Sequence, residues 1–410
     1  MTTISSTYNT RGLADAEGSA GARDLGLTIF SGQVLEAFKQ RTVFYDMKGQ
    51  YMASKQLDGG VAAQWPIIGP DIDLFAVGGD DTNFTDDAAD DTHLPQGMYA
   101  GYHVTGRFIT GSKIASSVKT VNVDDILVAA IDVPFLDLDL AHFDLLGPYA
   151  AKLGRSIARD LDRKIAALVL KGATDSAPSN GTYPGGASVV RGSASATVAA
   201  TYTDDIGGVT KFADDVASLA LQFDQKFVPE GNRTLFITPY IRKILRHMGT
   251  SFVANPNVNT TTQAATVTYI PGTQSPYDNQ LSGNSWDLNA RSIGQLSGFD
   301  LVVTDSMPGD WRTDTGAKYA EFNSASMGAS SLAKYDFDCD GADAARKCPA
   351  ALAVCGAQEG NYGLGMVQAG GMRTIIEDDE RRNQKFLKTQ MLVGMDILSP
   401  WCLGSIACHA

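Results

Sequence analysis

The chain is poor in the residues that most often do chemistry. It has five histidines and five cysteines in 410 residues. The histidines, His93, His103, His142, His247 and His409, are far apart in sequence. The cysteines, Cys339, Cys348, Cys355, Cys402 and Cys408, all fall near the end, and an odd number in so long a chain is not a disulfide framework of the small secreted kind. Their spacings do not match common zinc sites, so buried thiols are expected, with one disulfide as the alternative. G-x-S-x-G, P-loop, H-E-x-x-H and C-x-x-C motifs are absent, and Gly363-Leu364-Gly365 does not complete a dinucleotide fingerprint. Nothing points to an enzyme or to a required cofactor. No apolar run reaches the length of a membrane helix, and the first residues lack the basic end and apolar stretch of a secretory signal, so no membrane association is expected.

What is present is an ordinary globular composition, 44% hydrophobic and 19% charged, in a chain long enough for two or three packed modules. The net charge of −13 argues against a dedicated DNA-binding protein. Charge is also unevenly spread. No Lys or Arg stands between Lys55 and Arg107, while Asp80, Asp81, Asp86, Asp87, Asp90 and Asp91 crowd one short stretch whose self-repulsion favours an extended, solvated tip.

Residues 1–24 have almost no large apolar side chains and read as a mobile arm. Leu27, Phe30, Val34, Leu35 and Phe38 then step at helical spacing. Val61 to Gly69 reads as a strand, placed at a sheet edge by Pro66, with Tyr102 to Thr110 returning as its partner. Residues 136–171 carry the longest helical pattern, interrupted by Gly147-Pro148, where a fresh turn or a kink is expected. On another face of that helix Lys152, Arg155, Arg159 and Arg163 form a basic stripe: a solvated face, a seat for acid on a neighbouring chain, or a contact with a phosphate backbone.

Further along, residues 174–204 read as a surface excursion. The stripe Val209, Phe212, Val216, Leu219 and Phe223 gives a helix, Thr234 to Thr238 a buried strand, and Thr238-Pro239 the cap and first turn of another helix. Residues 250–296 and 309–358 read as loop-rich, with a strand at Phe299 to Thr304 between them. Gly371 to Glu377 and Gln384 to Met395 read as two antiparallel strands around a charged turn. Asp336, Asp338 and Asp340, followed by Gly341, have the start of a calcium loop, but Lys347 stands where a bidentate glutamate belongs. A weak structural Ca2+ site or a plain Asp-rich turn would account for them.

The order of flexible arm, FSGQVLEAF, an acidic loop opened by AAQWPIIG, a long helix with a glycine-proline break, VPEGNRTLFITPYIRKIL and DDERRNQKFLKTQMLVGMDILSPW resembles the major capsid protein of T-seven-like short-tailed phages, the autographivirus group. The resemblance covers roughly 25–69, 136–171, 208–246 and 360–401, with longer insertions at 174–204, 250–296 and 309–358. It implies an α+β chain of the Hong Kong 97 type. In those terms 1–50 is an N-terminal arm, 51–112 an E-loop, 113–204 a P-domain with a spine helix from Leu138 to Lys171, 205–360 an A-domain with surface insertions, and 361–410 a return to the P-domain. It further implies self-assembly into hexamers and pentamers, with a scaffolding protein, a portal at one vertex and a possible decoration protein. The shell would form in the bacterial cytoplasm and enclose double-stranded DNA without gripping it. The acidic tip would be a subunit contact, with the Lys152 to Arg163 stripe as its candidate seat. An encapsulin-like cargo shell and a calcium-dependent surface or binding protein are the alternatives.

Overall fold

The computed structural model describes residues 20–68, 116–123, 125–136, 146–174, 184–191, 198–226, 228, 231–245, 251–254, 267–270, 292–307, 335, 349–356 and 362–407. In chain order its elements begin with α1 (Ala20–Arg41), α2 (Lys48–Tyr51), β1 (Met52–Leu57), β2 (Ala62–Ile68), β3 (Ser116–Asn122), β4 (Asp125–Pro134) and α3 (Leu146–Ala173). They continue with β5 (Ala187–Val190), α4 (Val198–Thr201), α5 (Ile206–Gln225), β6 (Arg233–Ile237), α6 (Pro239–Leu245), β7 (Ser251–Ala254) and β8 (Val267–Ile270). The last are β9 (Ser292–Leu296), β10 (Phe299–Val303), β11 (Pro349–Cys355), β12 (Leu364–Asp379), β13 (Gln384–Ile397) and β14 (Leu403–Ala407).

Two sheets and one helix organise the core. A four-stranded sheet runs β1-β12-β13-β4, and a six-stranded sheet runs β5-β14-β11-β6-β10-β9. α3 lies between them. Its Leu161, Ile165, Leu168 and Val169 share one apolar cluster with Leu127, Met366 and Met391 of the first sheet and with Phe236, Leu352, Val354 and Leu403 of the second. This explains why the helix is amphipathic at its start and buried all round from Lys164 to Leu170. On the far face of the six-stranded sheet, Phe212, Val216, Leu219 and Phe223 of α5 pack on Ala351, Ala353 and Ile406. α5 opens on Asp205, whose carboxylate accepts the Gly208 N–H at 2.7 Å.

At the other end of α3 the crossing with α1 is very close. A Cβ on Gly154 would sit 2.3 Å from the Val34 carbonyl oxygen. Phe30, Val34, Ala37 and Phe38 make the buried stripe of α1, whereas Leu35 faces outward. Gly147-Pro148 falls in the first turn of α3, where the missing N–H has no intrahelical partner to lose, so the break is a start and not a kink.

Several sequence expectations are corrected. α1 starts at Ala20, inside the stretch read as arm. Among the described residues α3 runs from Leu146; the expected start at Leu138 lies outside them. The strand pairing with β2 is β3, with Ala62 opposite Asn122 and Ile68 opposite Ser116; Tyr102 to Thr110 lie outside the described residues. The excursion at 174–204 contains β5, an edge strand of the six-stranded sheet, and the end of the 250–296 stretch contains β9. Most consequentially, the loop-rich 309–358 stretch holds β11, buried at all seven positions and flanked by β14 and β6. The terminal hairpin is confirmed and extended: β12 and β13 pair antiparallel from Leu364 opposite Ile397 to Asp379 opposite Gln384. The six-stranded sheet therefore takes strands from both sides of the 205–360 segment.

Candidate subunit-contact surface

The basic stripe forms on α3 because its four cations are spaced three and four apart, on the side of the helix opposite the apolar stripe. Lys152, Arg155 and Arg159 are exposed and Arg163 is half-buried. The Lys152 ammonium sits 5.8 Å from the centre of the Tyr149 ring. Arg155 and Arg159 form no ion pair among the described residues. The neighbouring Asp160 faces Lys164 at 3.6 Å, and Lys164 is itself buried, with its ammonium 5.3 Å from the Tyr335 ring centre. The net effect is local positive charge on a strongly negative chain.

Beside the stripe runs β4, an edge strand of the four-stranded sheet among the described strands. Between α3 and β4 lies a groove of about 310 Å³ lined by Leu127, Val128, Ser156, Ile157, Arg159, Asp160 and Arg163. The open face of β4 carries Ile126, 61% exposed, and Val128, 50% exposed. Apolar side chains beside a guanidinium pair suit a partner segment with both acidic and apolar residues.

At the opposite end of the same sheet, where β12 turns into β13, the charge reverses. Asp132, Glu377, Asp378, Asp379, Arg382, Gln384 and Phe386 line a recess of about 410 Å³. Asp379 is used by the turn: its carboxylate accepts the N–H groups of Arg381 at 3.1 Å and Arg382 at 3.3 Å. Asp378 faces the Lys385 ammonium at 3.6 Å.

The β2–β3 pair packs one face against this body along the length of β2. Ala63, Trp65, Ile67 and Val121 are buried. The Lys55 ammonium lies 4.7 Å from the Trp65 ring and donates to the Gln64 carbonyl at 2.7 Å, and Lys119 pairs with Asp396 at 3.2 Å. The opposite face exposes Pro66, Ile68 and Val118. Among the described strands Pro66 stands at a sheet edge, as expected, since β2 pairs there with β3 alone.

The structure thus places Lys152, Arg155, Arg159 and Arg163 together on one surface. Asp80, Asp81, Asp86, Asp87, Asp90 and Asp91 lie outside the described residues, as do Asp336, Asp338, Asp340, all five histidines, Cys339, Cys348 and Cys408. Among the described residues no group of three His, Cys, Asp or Glu side chains is placed to hold a metal ion, and no helix is long and apolar enough to cross a membrane. Cys355 and Cys402 are buried thiols.

Sequence reasoning missed two features. The acidic recess has a sequence signal, the EDDE run before Arg381, which was read only as turn chemistry. Asp162 had a fainter one, an acid within the cationic stretch of α3. It is fully buried and accepts the N–H groups of Val43 at 2.6 Å and Tyr45 at 3.1 Å, holding the segment after α1 against the helix.

Comparison with known proteins fits this arrangement. The Gp10A-like family of major capsid proteins matches residues 94–266. The capsid protein of cyanophage P-SCSP1u superposes with a TM-score of 0.56 at 21% identity, over 97% of each chain. That of the bacteriophage PhiM1 mature capsid gives 0.53 at 12% identity, over 90% of this chain and 87% of the other. No curated protein sequence matches. At these identities the likeness establishes the fold, the α+β arrangement of phage capsid shells of the Hong Kong 97 type, along nearly the whole chain.

Proposed function

We propose that this chain is the major capsid protein of a tailed phage, a subunit that associates with copies of itself to build a virion shell. The observation that supports the reading best is the near-complete overlap with a capsid subunit, 97% of both chains, together with the family match over 94–266. A two-stranded hairpin root and a strand at a sheet edge among the described residues, beside the exposed Arg155 and Arg159, are features that a self-assembling tile can use, because shells close through heterologous contacts between different patches of identical chains.

In finer terms, hexamers and pentamers form an icosahedral shell with a scaffolding protein present during assembly and a portal at one vertex. The shell encloses double-stranded DNA by confinement, since a surface summing to −13 per subunit does not attract phosphate. Residues 51–112, rooted at β2, form the E-loop, and its acidic stretch Asp80 to Asp91 docks on the Lys152, Arg155, Arg159 and Arg163 stripe of the next subunit. Charge complementarity supports that contact. α3 is the spine.

The test is electron microscopy and sedimentation of the expressed chain, alone and with a co-expressed scaffolding partner. Ring-shaped capsomers or closed particles are expected. A chain that stays monomeric at every concentration under both conditions overturns the reading.

A further inference from the structure

Two of the chain's cysteines are brought together from distant parts of the sequence. Antiparallel β11 and β14 pair with Val354 opposite Leu403, which is the last pair of the ladder. One residue beyond that pair come Cys355, the last residue of β11, and Cys402, which ends the short 3-10 turn leading into β14 and donates its N–H to the Ser399 carbonyl. Side chains alternate across a sheet, and the clusters respect that alternation. Val354 and Leu403 both face α3, whereas Cys355 and Cys402 both enter the apolar cluster on the opposite face. The last ladder pair, one residue from each cysteine, has its Cα atoms about 4.5–5.5 Å apart, so the two thiols enter the cluster from adjoining positions.

We propose that Cys355 and Cys402 are a latent disulfide site, closed by peroxide, that ties the end of the chain to the middle of the six-stranded sheet. The bond forms in two steps. The Cys355 thiolate attacks one oxygen of hydrogen peroxide; the O–O bond breaks, and the departing hydroxide takes a proton to become water, leaving a sulfenic acid. The Cys402 sulfur then attacks the Cys355 sulfur, the S–O bond breaks, and a second water leaves with the Cys402 proton. Two thiols lose two electrons and one peroxide becomes two waters.

The surroundings assign the order of attack. Burial pushes the Cys355 thiol up to about 11, partly offset by the Arg233 guanidinium, whose residue stands opposite Cys355 on β6. Cys402 is pushed up further, by burial first and then by Cys355. Cys355 is therefore the attacking sulfur and Cys402 the resolving one. Because the reacting thiolate is scarce, the rate rises about tenfold per pH unit between about pH 7 and 9. The biological timing rests on the capsid reading: the subunit is made in a reducing cytosol and released into oxidising surroundings. The chemistry does not depend on it.

The experiment uses the full-length purified chain, treated with hydrogen peroxide, unfolded in the presence of an alkylating agent and digested without reductant. Mass spectrometry should find Cys355 and Cys402 joined in one peptide pair, and the oxidised chain should melt several degrees higher until reductant is added. The Cys402→Ser variant should stop at the Cys355 sulfenic acid, trapped by dimedone, while the unaltered chain traps little. Recovery of both cysteines as alkylated thiols, of Cys355 as sulfinic acid, or of Cys355 linked to another cysteine overturns the proposal. Because none of these readouts requires assembly, they separate failure of this site from failure of the capsid reading.

Discussion

A single carboxylate decides how the amino-terminal helix is attached. Asp162 is buried in α3, and the two N–H groups it accepts belong to the segment between α1 and α2. That segment also supplies the Phe44 carbonyl to the buried Tyr51 hydroxyl at 2.7 Å. Removing the acceptor strands two buried donors, a loss of about 3 kcal/mol. Asp162→Ala should therefore lower the denaturation midpoint clearly, and Asp162→Asn, which keeps one acceptor oxygen, should lower it less. Equal midpoints for Asp162→Ala and the unaltered chain in urea titrations would remove Asp162 from this role. The residue is not legible as a clamp in the sequence, because an acid on a helix with a cationic face reads equally well as an exposed partner for Arg159, as its neighbour Asp160 is for Lys164; only the fold shows that it is buried.

Among the elements, what the sequence made legible follows from how many faces each one buries. α3 and α5 each bury one stripe over much of their length, and both appear where three-and-four spacing puts them. The β12–β13 hairpin was visible from its charged turn, although β12 begins seven residues before the expected Gly371. β11 was not visible: PAALAVC is small and apolar at nearly every position because the strand is covered by α3 on one face and α5 on the other, so no alternation marks it. β3 was missed for the opposite reason. SSVKTVN alternates only weakly, as its outer face meets solvent. The crossing of α1 and α3 offers the test at this scale. Gly154→Ala improves helix propensity by about 1 kcal/mol, yet its new methyl meets the Val34 carbonyl, and overpacking of this kind costs about 1–3 kcal/mol. Gly154→Ala should lower the melting temperature and speed amide exchange in α1 relative to α5; a more stable variant with unchanged exchange would show that the helices part freely.

For the molecule as a whole, its charges occupy separate regions. The sheet beneath α3 has arginines beside its edge strand and a recess rich in carboxylates at the β12–β13 turn, within a chain of −13. Exposed ion pairs contribute only about 0–1 kcal/mol each, so contacts of this kind matter through repetition across many copies and not through any single bridge. Arg155 and Arg159 are exposed and belong to no apolar cluster, so the double charge reversal Arg155→Glu with Arg159→Glu should leave the monomer's circular dichroism and melting intact while sharply lowering particle yield. Replacing the six aspartates between Asp80 and Asp91 with asparagine should lower yield in the same way. Normal yield from both variants would sever the stripe from assembly.

The position of β14 has a further consequence. The strand that fills the space between β5 and β11 is drawn from Leu403–Ala407, later in the chain than every other described strand of that sheet. Until β14 is made the larger sheet stays split among its described strands, with β5 held apart from the rest. The order in which the strands are made therefore sets when the sheet can close, and every strand but β14 must wait in an unjoined group.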